Sequence, residues 1–143
     1  MTNYGLTMLR QLKSRYEEVF KNYGAVILEE TYDEYGCEWV IRVDGSLFRF
    51  AWDYRDGSPW DLPLGIFEIE VKLGCPDAQS ALNEWWDWTT ILEFIAYVWN
   101  LPRPSVDEAR EPHMIELSIK FIRGPNYQQW CREFDNWYNN LDP

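Results

Sequence analysis

The sequence predicts an α+β fold, a mostly antiparallel sheet of about five strands with helices packed against one face. Three observations predict it. Residues 37 to 54, CEWVIRVDGSLFRFAWDY, are two alternating apolar runs joined by Asp44-Gly45, and such a two-residue loop closes a β-hairpin because Asp and Gly tolerate positive φ. Residues 66 to 73, IFEIEVKL, alternate strictly between apolar and charged. Segments on either side repeat their apolar residues at helical spacing instead. No repeat, low-complexity tract or linker divides the chain, so the expectation is a single domain over 1–143.

Residues 6 to 22 place Leu9, Leu12, Tyr16, Val19, Phe20 and Tyr23 at helical spacing, and Gly24 is a stop. AVILEE, 25 to 30, is a short β-branched run and reads as the first strand. In the hairpin the Asp44-Gly45 turn sets the register: Val43 faces Ser46, Ile41 faces Phe48, Trp39 faces Phe50 and Cys37 faces Trp52. Trp39, Ile41, Val43, Phe48, Phe50 and Trp52 then share a buried face. Glu38, Val40, Arg42, Leu47, Arg49, Ala51 and Asp53 share a wetter one. RDGSPWDLPLG, 55 to 65, has two Gly and two Pro and reads as a loop. In the next strand Phe67, Ile69, Val71 and Leu73 face inward, with Glu68, Glu70 and Lys72 outward.

After a GCPDAQ turn, Ser80 is placed to cap the longest helix, 81 to 100. Its stripe is Leu82, Trp85, Trp86, Thr89, Leu92, Ile95, Ala96 and Trp99. Ser105 and Glu108 form a capping-box pattern for a short helical turn that Pro112 is expected to end. HMIELSIKFIRG alternates Ile115, Leu117, Ile119 and Phe121 with polar residues and reads as a fifth strand, a helix being the competing reading. Gly124-Pro125 opens a last helix, to about 140, with Tyr127, Trp130, Phe134, Trp137 and Leu141 on one face.

Composition narrows the function. Hydrophobic residues are 46% and aromatic residues 17% of 143, enough for a core dense in rings and against disorder. The net charge of −11 opposes neutralisation of phosphates, hence direct nucleic-acid or anionic-membrane binding, and suits a basic protein partner. Three cysteines, Cys37, Cys75 and Cys131, form no CxxC pair; neither a disulfide framework nor a zinc knuckle is indicated, and a cytoplasmic setting is expected. No apolar segment reads as an export signal or membrane span. No phosphate loop or metal motif occurs, no cofactor is expected, and the one histidine, His113, reads as structural or surface.

One catalytic pattern stands out. Glu70-Val71-Lys72 puts a carboxylate and an amine on one face of a strand, with Asp53 on the polar face of the hairpin. This resembles the PD-(D/E)xK nuclease superfamily, though no Pro precedes Asp53. The resemblance implies Asp53 and Glu70 as Mg²⁺ ligands and Lys72 orienting the attacking water.

A second pattern spans residues 16 to 98: Tyr23-Gly24, Glu29-Glu30, Gly36, Val40-Ile41-Arg42, Leu47, Arg49-Phe50, a turn from Asp53 to Gly57, then Trp88, Leu92 and Phe94. It resembles small acidic immunity-type proteins encoded beside bacterial polymorphic toxins. That resemblance implies a non-enzymatic cytoplasmic inhibitor of a cognate toxin, often a basic nuclease; phage inhibitors of bacterial defence proteins fill the same role. Two segments combine carboxylates with aromatic anchors as a binding surface does: Asp53, Tyr54, Asp56, Trp60 and Asp61, and then Tyr32, Asp33, Glu34 and Tyr35. The plainer reading of both is solvated loops whose rings fold back on the core.

Overall fold

A computed structural model describes residues 3–56, 67–74 and 84–141. The chain divides into two compact units, Met1–Glu70 and Val71–Pro143. The first holds α1 (Tyr4–Asn22), β1 (Val26–Tyr32), β2 (Gly36–Val43), β3 (Ser46–Asp53) and a 3-10 turn at Tyr54–Asp56. The strand β4 (Glu68–Lys72) crosses the boundary. In the second unit come β5 (Trp86–Asp87), α2 (Trp88–Val98), α3 (Val106–Ala109), α4 (Pro112–Ile122) and α5 (Tyr127–Asn139). The strands hydrogen-bond in the order β1-β2-β3-β4-β5, and the β1–β2 and β2–β3 pairs are antiparallel. The class is α+β, as the sequence predicts. No helix among the described residues is long and apolar enough to cross a membrane.

The hairpin forms in the predicted register, with Val43 opposite Ser46 and Cys37 opposite Trp52. Asp44 adopts φ 54°, the left-handed conformation the tight turn asks for. Trp39, Ile41, Val43, Phe48, Phe50 and Trp52 are all buried. α1 covers them: Phe20 stands edge-on to Trp39, Phe48 and Phe50, and Tyr16 meets Phe50 and Phe67 with centroids 4.9 and 5.9 Å apart. Such ring pairs each add about 0.5–1.5 kcal/mol beyond the area they bury. The helix starts at Asn3, whose Oδ1 accepts the Leu6 N–H at 2.9 Å, and stops at Gly24, where φ is +66°.

The second unit departs from the sequence reading in three places. Residues 112–122 are the helix α4, not a fifth strand. Ile115, Ser118, Ile119 and Ile122 are buried at i, i+3, i+4 and i+7, a helical stripe that coexists with the apolar alternation. Pro112 opens this helix at its first turn, where a missing N–H costs nothing. The helix expected over 81 to 100 begins only at Trp88, because Asp87 Oδ1 accepts the Thr89 N–H at 2.9 Å and caps it there. The GCPDAQ turn beyond Gly74, the Ser80 cap, Leu82 and loop residues 57–65 lie outside the described residues. Finally, Cys131 on α5 is buried and disulfide-bonded, whereas Cys37 is a free thiol. An odd count leaves room for one bridge, and linear spacing carries no information on distance.

Inside this unit Phe94, Phe121 and Phe134 form the aromatic centre, Phe94 meeting the other two edge-on at 5.8 and 5.2 Å. Trp85, Trp86 and Trp88 cannot all face one side, being three indoles within four residues. Trp88 is buried and donates its indole N–H to the Ala109 carbonyl at 2.6 Å, holding α3 on α2. Trp86 is half-buried against Phe134 and Tyr138. The predicted capping box is present, Ser105 accepting from Glu108 N and Glu108 from Ser105 N.

Candidate functional site

The two segments singled out by composition meet at one end of the first unit. The cause is the hairpin register: Gly36 pairs with Asp53, so the residues just beyond, Tyr35 and Tyr54, are brought side by side. The Tyr54 N–H donates to the Tyr35 carbonyl at 2.6 Å. Their rings lie 5.9 Å apart, and Tyr54 also meets Tyr4 at 4.8 Å and Trp52 at 6.4 Å. Tyr54 is therefore a hub. It is 38% exposed, while Tyr32 and Tyr35 are 50% and 54% exposed.

The turn between β1 and β2 is stiffened from within. Asp33 Oδ1 accepts the N–H groups of Tyr35 and Gly36, each at 2.8 Å, and Asp33 N–H donates to the Gly36 carbonyl at 2.9 Å. It is also held from below, because the first turn of α1 has N–H groups with no partner inside the helix. Those of Tyr4 and Gly5 donate to the Glu34 carbonyl at 3.1 and 3.4 Å. Only glycine permits that approach: a Cβ on residue 5 would lie 2.0 Å from the Gly36 oxygen. Tyr4 and Gly5 are the two contributors that sequence reasoning missed. The Tyr35–Tyr54 pairing needed only two more steps of the register; no local pattern marks Tyr4.

The surface is acidic. Asp33 and Glu34 are exposed and Asp53 is half-buried. The Arg55 backbone N–H on Asp53 Oδ1, at 2.9 Å, and then the Arg55 guanidinium hold this carboxyl below its ordinary value, so it keeps its charge into mild acid. An open cleft of about 310 Å³ beside it is lined by Thr31, Asp33, Cys37, Glu38 and Asp53. Burial, and then the Asp33 charge, push the Cys37 thiol up to about 12, so it is not a nucleophile at neutral pH. Asp56 ends the 3-10 turn; Trp60 and Asp61 lie outside the described residues.

The residues of the nuclease-like pattern are placed differently from one another. Asp53 ends β3, while Glu70 and Lys72 are half-buried on β4. Glu70 Oε1 accepts Arg49 Nη2 at 2.6 Å, and Arg49 also lies 3.9 Å from Glu38. A carboxylate so engaged would have to release Arg49 to take up a cation. Among the described residues no group of three or more His, Cys, Asp or Glu side chains is placed to hold a metal ion. His113 is exposed on the first turn of α4.

These features define an acidic α+β protein with an exposed tyrosine surface. Compared with known proteins, the chain matches no family model, no curated protein and no solved structure.

Proposed function

We propose that this protein is a non-enzymatic inhibitor that binds another protein through its acidic tyrosine surface, as an immunity protein neutralising a basic toxin does. One observation carries the reading. Three exposed tyrosines and the carboxylates of Asp33, Glu34 and Asp53 converge on a turn braced by hydrogen bonds from α1. Rigid aromatic anchors amid charge are what interface hot spots consist of, since little side-chain entropy is lost on docking. The chain's net charge of −11 adds long-range attraction for a basic partner and speeds encounter.

The test is capture of a partner by the tagged full chain from cells carrying its neighbouring genes, followed by titration of that partner. Tyr35→Ala is expected to weaken binding by about 2 kcal/mol, chiefly through faster dissociation. Glu34→Lys should slow association, most strongly at low salt. A captured partner indifferent to both changes would remove this surface from the interface.

A further inference from the structure

β1 is an edge strand whose residues stay exposed although Lys13 of α1 reaches Glu30. The ring contacts of α1 fall on β2 and β3, through Phe20 on Trp39, Phe48 and Phe50 and Tyr16 on Phe50. One strand further out, every residue of Val26–Tyr32 is exposed. Val26, Ile27 and Leu28 stand at 46, 48 and 48%. Among the described residues β1 pairs with β2 alone. Its outer side therefore presents main-chain N–H and C=O groups, the template on which a further strand adds.

The register distributes the side chains. Ile27, Glu30 and Tyr32 lie opposite Ile41, Trp39 and Cys37 and so share the α1 face, whereas Val26, Glu29 and Thr31 lie opposite Arg42, Val40 and Glu38 and point the other way. The pairing shifts between Ile27 and Glu29, leaving Leu28 without a partner across the pair. Aliphatic surface thus flanks the edge on both faces, and an added strand would take it from water. Proteins blunt such edges with lysine, proline or a bulge. β1 has the bulge and the charges of Glu29 and Glu30, which disfavour a neutral or acidic strand, but its sequence VILEETY contains neither Lys nor Pro.

Charge selects the occupant. Glu29, Glu30, Asp33 and Glu34 run along the strand and just past its end; the nearby cations are Lys13, bonded to Glu30 at 2.9 Å, and Arg42, opposite Val26. A second copy pairing antiparallel about Glu29, the middle of β1, would set Glu29 directly against its own counterpart with Glu30 one position away, and like charges directly opposite destabilise a sheet. We propose that β1 accepts an extended segment of a partner protein that carries Lys or Arg on both faces among β-branched residues. The segment adds as an outer strand, its aliphatic side chains on Val26, Ile27 and Leu28 and its cations on Glu29 and Glu30. This rests on the reading of the chain as a binder of a basic partner and extends that site, since β1 runs directly into the tyrosine turn.

The probe is a fluorescein-labelled peptide, acetyl-TKVKVTKV-amide, with a counterpart in which each Lys is Glu, titrated against the full chain. Amide hydrogen exchange is read in the same samples. The Lys peptide is expected to bind saturably, to slow exchange across residues 26–32 by about tenfold or more, and to weaken as salt rises. Glu29→Lys, on an exposed side chain, should cut its affinity about fivefold, and the Glu peptide should not bind. Lack of binding, or protection confined to 32–35 and 53–56, overturns the proposal; so does protection of β1 in peptide-free protein that runs as a dimer. A captured partner whose complex leaves exchange at 26–32 unchanged would sink the β1 proposal and leave the inhibitor reading standing. Peptide binding at β1 with no partner captured would do the reverse.

Discussion

Replacing Gly5 by Ala tests the brace beneath the tyrosine surface, because two opposing effects differ in size. In an exposed helix the change stabilises by up to about 1 kcal/mol, since glycine loses more backbone freedom on folding. Here the new Cβ would lie 2.0 Å from the Gly36 oxygen and 2.2 Å from that of Asp33, where real Cβ atoms stay beyond 3.0 Å. Both obstacles are backbone, so α1 and the turn must separate by about 1 Å. The bonds from Tyr4 and Gly5 to Glu34, already 3.1 and 3.4 Å, would lengthen past useful range. Their loss costs about 1 kcal/mol each, and strain in a packed contact adds about 1–3 kcal/mol. Net of the propensity gain, Gly5→Ala should destabilise by about 2–4 kcal/mol. Urea unfolding followed by tryptophan fluorescence and far-UV circular dichroism measures it, with Gly24→Ala as the comparison. At Gly24, φ +66° penalises Ala by backbone strain alone, with nothing within 4 Å to meet. A Gly5→Ala protein as stable as the parent, or more so, would refute the reasoning.

Two further outcomes follow from buried groups. Trp88 and Trp39 are each 1% exposed, but Trp88 donates to Ala109 at 2.6 Å, whereas among the described residues the Trp39 indole N–H has no acceptor. Trp88→Phe should therefore cost about 1–2 kcal/mol more than Trp39→Phe in the same urea titration, and equal losses would mean that the Ala109 bond contributes nothing. Cys37 has its thiol raised from 9.0 to about 12. At pH 8 native protein should alkylate there at least about a hundredfold more slowly than urea-unfolded protein. Because the folded value is the raised one, the stabilisation is complete below pH 9 and is lost as pH climbs toward about 12. Cys37→Ser should flatten that part of the pH–stability curve.

Features set by neighbouring residues were legible in the sequence. The hairpin, its register and its buried face follow from period-two alternation and an Asp-Gly turn, both of which act within a few residues. α1 and the Ser105–Glu108 capping box are local in the same sense. Residues 113–122 were misread because Ile115, Ile119 and their neighbours satisfy both periods at once, and the choice is made by packing. The start of α2 was misplaced because Asp87 is as good a cap as Ser80, and composition does not rank them.

The candidate site divides the same way. That Tyr35 and Tyr54 adjoin is already implicit in Cys37 facing Trp52, two steps further along the hairpin. That Tyr4 packs against Tyr54, that Gly5 must be glycine, and that Arg49 occupies Glu70 depend on segments far apart in the chain meeting at one place. By itself the sequence determined β1 to β4, the facing residues of the hairpin and the acidic charge. Only the tertiary structure decided that α1 packs its rings on β2 and β3 and leaves the residues of β1 exposed, because the area a helix covers is set by its packing on the sheet and not by any pattern within a strand.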